Sequence, residues 1–274
     1  VAVPEPFVGC WVRDGVSVAD EPLVEPADVM WLQGREWFVD VRVPRPGVVA
    51  GPATSALGAR VEAFGGRCSW SSLAGVPPAA GGRLDWDHEI DFSGGFADGD
   101  GAEVRWVTDG WFEEHGDLGD GDPPTAFREV WRVGGQPEPV LAVVGLAAGA
   151  HDEGVRVAAL VLSVGGDRVL LVGSEGLDGF CWSHARQDEG GVWRPLRRHA
   201  PAVGDLEPAD APPVLRAAEE TADWLCSLEN GPETGYSFVG EGMEWVVTES
   251  RGAVHDDVHL SKQYRNTFSV RSSS

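Results

Sequence analysis

Trp86-Asp87-His88-Glu89-Ile90-Asp91-Phe92 and Phe127-Arg128-Glu129-Val130-Trp131-Arg132-Val133 are the stretches whose reading decides the fold. With the two-residue side-chain period of a β-strand, the first lines up Trp86, His88, Ile90 and Phe92 on one face. Asp87, Glu89 and Asp91 fall on the other. The second puts Phe127, Glu129, Trp131 and Val133 together and exposes Arg128 and Arg132. Each predicted strand thus has a Trp-bearing, mainly apolar face with one titratable group set into it. Burying an imidazole or a carboxylate is costly unless something pairs with it, which makes an interior pocket one reading. A closed core that satisfies His88 and Glu129 internally is the other.

The same pattern extends outward. Turn signals such as Arg13-Asp14-Gly15, Pro44-Arg45-Pro46-Gly47 and Asp109-Gly110 separate alternating or β-branched runs. These runs predict strands over 29–33, 37–43, 84–92, 103–108 and 127–133, then 140–144, 155–164, 168–172, 179–184 and 192–194. A last hairpin is predicted over 236–239 and 243–248. Two helices interrupt the strands. One runs from Ala53 to Phe64, with Leu57, Val61 and Phe64 on one face, Thr54 or Ser55 as cap and Gly65-Gly66 as stop. The other runs from Val214 to Leu228, with Leu215, Ala218, Ala222 and Leu225 as its apolar stripe. The expected fold is all-β: two antiparallel β-barrels with one helix each, over 1–135 and 136–250, followed by a polar tail at 251–274.

The chain of 274 residues is 42% hydrophobic, which suffices for substantial cores, and it carries twelve Trp. Its net charge of −23 argues against nucleic acid and against anionic membrane surfaces as partners. No apolar run is long enough to suggest a transmembrane helix. The only lysine, Lys262, lies in the polar tail and is a poor Schiff-base candidate. Cys10, Cys68, Cys181 and Cys226 form no CxxC pair, so free thiols in a reducing cytoplasm are expected. The chain opens at Val1 without Met, which leaves a removed leader open.

A family resemblance rests on spaced motifs in order: Trp31-Leu32-Gln33, Phe38-Val39-Asp40-Val41-Arg42-Val43-Pro44, Ala63-Phe64-Gly65-Gly66, Trp86 with Glu89-Ile90-Asp91-Phe92, and Glu129-Val130-Trp131-Arg132. From about Phe7 to Arg132 the chain resembles the bacterial relatives of the fungal Hri family, lipocalin-like proteins built from two β-barrels. The resemblance implies two lipocalin-like barrels and no particular activity. It departs at Trp86-Asp87-His88, where Trp-His-Arg is the family's pattern, so the histidine falls on the other strand face. Two-barrel lipocalin-like folds also include hydratases and pericyclic cyclases of secondary metabolism, an analogy of fold alone.

The candidate acid–base residues are His88 and Glu129, with Trp31, Trp86 and Trp131 shaping an apolar cavity. Asp40 and Arg42 share a strand face opposite Val39, Val41 and Val43, which suggests an ion pair on a solvated surface. If the valine face is packed instead, Asp40, Arg42 and Gln33 point inward and join the ligand-binding set. Phe180, Trp182 and His184 repeat the pattern in the second half, where a satisfied core or rim histidine is expected. His255 and His259 have helical spacing but no third metal ligand, and Asp117–Asp122 lacks the ligand spacing of an EF-hand. No metal site is expected. With no phosphate loop, dinucleotide fingerprint or nucleophile elbow, no cofactor is expected either. The reading is a binder of a small apolar or aromatic molecule, acting as a cofactor-independent isomerase, cyclase or lyase. A carrier using the same cavity, or an interaction module with filled barrels, fits the same residues.

Overall fold

The computed structural model describes residues 1–77, 80–91, 100–118, 124–138, 140–148, 155–173, 181–200, 204–205, 213–226, 237–240, 243–251 and 269–270. The chain divides into two compact units, Val1–Gly135 and Gln136–Ser274.

The first unit is a closed antiparallel barrel of β1 (Gly9–Val18), β2 (Ala27–Gln33), β3 (Trp37–Pro44), β4 (Glu62–Ser71), β5 (Gly81–Asp91), β6 (Asp100–Thr108), β7 (Trp111–Leu118) and β8 (Thr125–Val133). Each strand pairs with the next, and β8 returns to β1, so the barrel has no free edge. A single 3-10 turn, Glu5–Phe7, precedes it. Phe7 is fully buried, with ring centroids 4.7 Å from Trp106, 4.9 Å from Trp70 and 5.5 Å from Phe112. Its carbonyl accepts a hydrogen bond from Trp11 Nε1 at 2.9 Å. The N-terminal segment therefore plugs one barrel end with aromatic packing.

The expected helix over Ala53–Phe64 is mostly absent. A short α1 spans Pro52–Ala56, and Glu62 already belongs to β4. Gly58 and Gly65-Gly66 are poor helix residues, and Phe64 is buried as a strand residue inside the barrel instead. The start of α1 is capped neither by Thr54 nor by Ser55. The Glu21 carboxylate accepts from the amides of Ala53 (3.0 Å) and Thr54 (2.8 Å), which holds its pKa below the usual value.

The register shifts at three places in the wall, and two of them, both β-bulges, re-aim residues at the site. One extra residue, Asp14, sits between Arg13↔Trp131 and Gly15↔Val130. Another, Glu89, sits between the pairs Gly66↔His88 and Gly65↔Ile90. Gly66 makes the second bulge possible: a Cβ there would stand 2.0 Å from the Asp87 carbonyl oxygen.

The second unit comprises β9 (Val140–Ala148), β10 (Val155–Val164), β11 (Asp167–Val172), β12 (Cys181–Gln187), β13 (Trp193–Ala200), β14 (Gly204–Asp205), α2 (Pro213–Cys226), β15 (Ser237–Gly240), β16 (Met243–Arg251) and β17 (Ser269–Val270). Among the described residues its strands form a nine-stranded sheet that does not close. The edge strands β14 and β17 are two residues long and do not pair with each other. One closed barrel stands, then, where two were expected. Helix α2 packs Leu215, Ala218 and Ala222 on a core with Val143, Val161, Leu170 and Val172. Arg198–Glu219 at 2.8 Å and Arg168–Asp223 at 2.7 Å tie the helix to the sheet.

Candidate functional site

Register places the functional side chains. Trp11↔Trp31, Trp31↔Asp40 and Asp40↔Phe64 are cross-strand partners, so all four share the barrel's inner face. Phe64↔Asp91, Gly66↔His88 and Cys68↔Trp86 extend that face to β5, and Trp86↔Asp100 extends it to β6. Glu114↔Glu129 and Phe112↔Trp131 complete it on β7 and β8. Trp31, Gln33, Asp40, Arg42, Trp86, His88, Glu129 and Trp131 thus all lie on the inner face.

Ile90 and Asp91 exchange the faces expected of them, and Asp40 and Arg42 take the second of the two alternatives the sequence left open. Asp40 and Arg42 are not on a solvated face; their ion pair, 2.9 Å, lies inside, and Asp40 is only 4% exposed. Val39 and Val41 on the opposite face are buried as well, which is why alternation could not choose between the faces. Asp91 turns inward, because the bulge at Glu89 reverses the parity of β5 beyond His88. Phe92 lies outside the described residues.

The interior is divided along the barrel axis. Toward the plug, Trp31, Trp131 and Phe112 are almost fully buried and meet edge-to-face or stacked, Trp31 and Trp131 at 5.2 Å. Gln33 belongs to this packed part. Its oxygen accepts from Trp31 Nε1 at 3.0 Å, and its nitrogen donates to the Gly34 carbonyl at 2.7 Å.

Toward the other end the interior is charged. Arg13 donates to both oxygens of Glu25, at 2.9 and 3.1 Å, and to Glu129 Oε1. Burial opposes the Arg13 charge, and the surrounding carboxylates overcome it, so its pKa is raised. Arg42 behaves alike through Asp40 and Glu129, and its guanidinium lies over the Phe64 ring at 5.1 Å. Burial pushes the Asp40 carboxyl up, against the pull of Arg42 and Arg13. Burial, and after it the adjacent Glu129, hold the Glu114 carboxyl well above the ordinary carboxylate range, which favours its neutral form. Trp131 Nε1 donates to it at 2.9 Å.

His88 stacks on Phe64, with centroids 4.8 Å apart and planes 11° apart. Its Nδ1 contacts Asp91 at 3.1 Å and its Nε2 contacts Asp100 at 3.0 Å. Burial lowers its pKa, but the hydrogen bonds to Asp100 and Asp91 prevail and raise it to about 9. It is therefore an imidazolium at neutral pH. His88 and Glu129 face the same interior with separate partners: two aspartates for one, Arg13 for the other.

Arg13, Glu25, Glu114, Asp91 and Asp100 are absent from the sequence-derived set. Glu114 was within reach, because Phe112 and Glu114 alternate in Trp111-Phe112-Glu113-Glu114 as Trp131 and Glu129 do in β8. Arg13 was hidden by Asp14-Gly15, which reads as a turn and is a bulge.

Elsewhere, His184 Nε2 contacts Asp167 at 2.8 Å, a satisfied histidine, and Trp182 is buried. Phe180, His255, His259 and most of the Asp117–Asp122 stretch lie outside the described residues. Cys10, Cys68 and Cys181 are buried, and Cys68 and Cys181 are free thiols. Among the described residues, no helix is long and apolar enough to cross a membrane. No group of three or more His, Cys, Asp or Glu among them is placed to hold a metal ion.

No protein-family model matches the chain, and no curated protein matches it. Among solved structures it is similar to YLR301w from Saccharomyces cerevisiae, described as an uncharacterized protein, with a TM-score of 0.57 and 13% sequence identity. The match covers 89% of this chain and 98% of that one. At this identity the likeness concerns the fold alone.

Proposed function

We propose that the first unit binds a small molecule at the charged end of its barrel, the end opposite the Phe7 plug. The aromatic or apolar body of the ligand rests against Phe64 and Trp86, and a polar head points toward Glu129 and Glu114. One observation carries this reading: a cluster of buried charged side chains occupies an interior whose other end is uncharged and mainly aromatic. Desolvating such charges often costs more stability than their pairing returns, so a fold has no need of them for its own sake. The head is neutral or cationic. Glu25, Asp40, Asp91, Asp100 and Glu129 outweigh Arg13, Arg42 and protonated His88, so an anionic head meets repulsion.

The chemistry such a site suits is proton transfer without a cofactor, in an isomerase, cyclase or lyase of secondary metabolism. Imidazolium His88 and neutral Glu114 are donors, and Glu129 is an acceptor. A second reading, a filled barrel serving as an interaction module, draws on the near-zero exposure of Trp11, Trp131 and Phe112.

Calorimetric titration with 2-naphthol, 1-naphthylmethylammonium and 2-naphthoate tests the proposal. The neutral and cationic probes should give saturable heats that Phe64→Ala and Trp86→Ala weaken at least tenfold, while naphthoate binds more weakly. If neither probe saturates, or if both variants bind as the wild type does, the site is not a ligand site and the filled-barrel reading takes its place.

A further inference from the structure

Glu114 and Glu129 stand directly opposite each other on β7 and β8, both pointing into the barrel and both more than nine-tenths buried. Directly opposed residues in an antiparallel pair have Cβ atoms about 4.5–5.5 Å apart, so the two carboxyl groups are within reach of each other. Their remaining contacts are unequal. Glu129 Oε1 takes the Arg13 guanidinium. Glu114 receives only the neutral indole N–H of Trp131, on Oε2. Glu129 Oε2 is buried and accepts no hydrogen bond from any protein donor. A buried carboxylate oxygen without a donor is costly, and two adjacent buried carboxylates are not both ionised.

We propose that Glu114 and Glu129 hold one proton between them: Glu114 is the neutral acid, and its Oε1 hydroxyl donates to Glu129 Oε2. The arrangement resolves both anomalies at once. The unpartnered oxygen gains its donor, and the carboxyl lacking a cation stays neutral. Arg13 fixes which partner is the anion. The groups facing the pair act in the same sense. Glu25, Asp40 and Asp100 oppose a second negative charge, Arg13 and Arg42 support the first, and the His88 cation is tied to Asp91 and Asp100. The pair makes Glu114 a proton donor directly opposite Glu129, the part that the reading of the sequence assigned to His88. This use rests on the ligand-site reading above, but the proton itself is measurable without any ligand.

Infrared spectroscopy of the unliganded protein tests it through the C=O stretch of a protonated carboxyl. The wild type should show that band at neutral pH and lose it at higher pH while far-UV circular dichroism stays unchanged. Glu114→Gln should lack the band. In Glu129→Gln the band should titrate at lower pH, because the neighbouring negative charge is gone while Arg13 and Arg42 remain. The proposal is overturned if folded wild type shows no protonated carboxyl at neutral pH, if Glu114→Gln keeps the band, or if Glu129→Gln leaves its midpoint unmoved. Should either variant fail to fold, the wild-type titration alone still decides whether a proton is held. Failure of naphthol binding with the band intact would reject the ligand site and leave the shared proton standing.

Discussion

Raising the pH should remove one specific support of the barrel, the His88 imidazolium. Its ring is clamped between Asp91 at 3.1 Å and Asp100 at 3.0 Å, and its side chain is only 7% exposed. The folded protein thus holds its proton up to about 9, against an ordinary value of 6.5. Below the unfolded value both states carry the proton, and the stabilisation is fully present. Between the two values only the folded state keeps it, and above the folded value neither does, so the stabilisation declines as pH rises across this window. Converted at 1.36 kcal/mol per pKa unit, the loss amounts to about 3 kcal/mol. Imidazole proton NMR measures the midpoint, with His88→Gln identifying the resonance. Urea denaturation of wild type and His88→Gln near pH 6 and near pH 10 then measures the consequence: the stability gap should shrink by about 3 kcal/mol across that interval. A midpoint at or below neutrality, or a gap indifferent to pH, would refute the clamp.

Gly66→Ala should destabilise the first unit by about 2–4 kcal/mol in denaturant titration. Its methyl would meet the Asp87 carbonyl oxygen at 2.0 Å and the Glu89 nitrogen at 2.6 Å, both backbone atoms that cannot swing aside. In the same variant the His88 midpoint should fall, because Asp91 depends on the bulge to face inward. Arg13→Ala leaves Glu25 and Glu129 buried without their cation and should cost about 3–5 kcal/mol. Arg45→Ala, which breaks the exposed pair with Asp28, should cost less than about 1 kcal/mol in the same assay.

Period-two alternation made much of the barrel wall legible, because one face of each strand is packed and the pattern repeats along β2, β3, β5, β6 and β8. It placed Trp31, Trp86, His88, Glu129 and Trp131 on inner faces for the same reason. Legibility ended where local rules have two solutions. Asp14-Gly15 obeys the chemistry of a turn, yet β1 runs through it as a bulge. Phe64-Gly65-Gly66 obeys the chemistry of a helix end, yet the glycines serve the close approach of β5. Asp40 and Arg42 could not be assigned to a face, because Val39 and Val41 opposite them are buried too. Arg13 and Glu129 are 116 residues apart in the chain, and only barrel closure between β1 and β8 brings them together. No local pattern carries that pairing.

The two units use buried ion pairs for different ends, and the contrast bears on function. In the second unit, Arg198–Glu219 and Arg168–Asp223 join a helix to a sheet, and Asp223 keeps access to solvent. Each of those pairs orients an element that its apolar stripe alone could seat at several angles. In the first unit, the aromatic plug and the closed hydrogen-bond ladder already fix the wall, and the pairs Arg13–Glu129 and Arg42–Asp40 lie within it. They orient no further element. What surrounds them is shifted instead: burial and the adjacent Glu129 raise the pKa of Glu114, and the hydrogen bonds of Asp100 and Asp91 raise that of His88. An interior that raises the pKa of both His88 and Glu114, through ion pairs and buried carboxylates that seat no further element, is what the proposed ligand site accounts for and a purely structural core does not require.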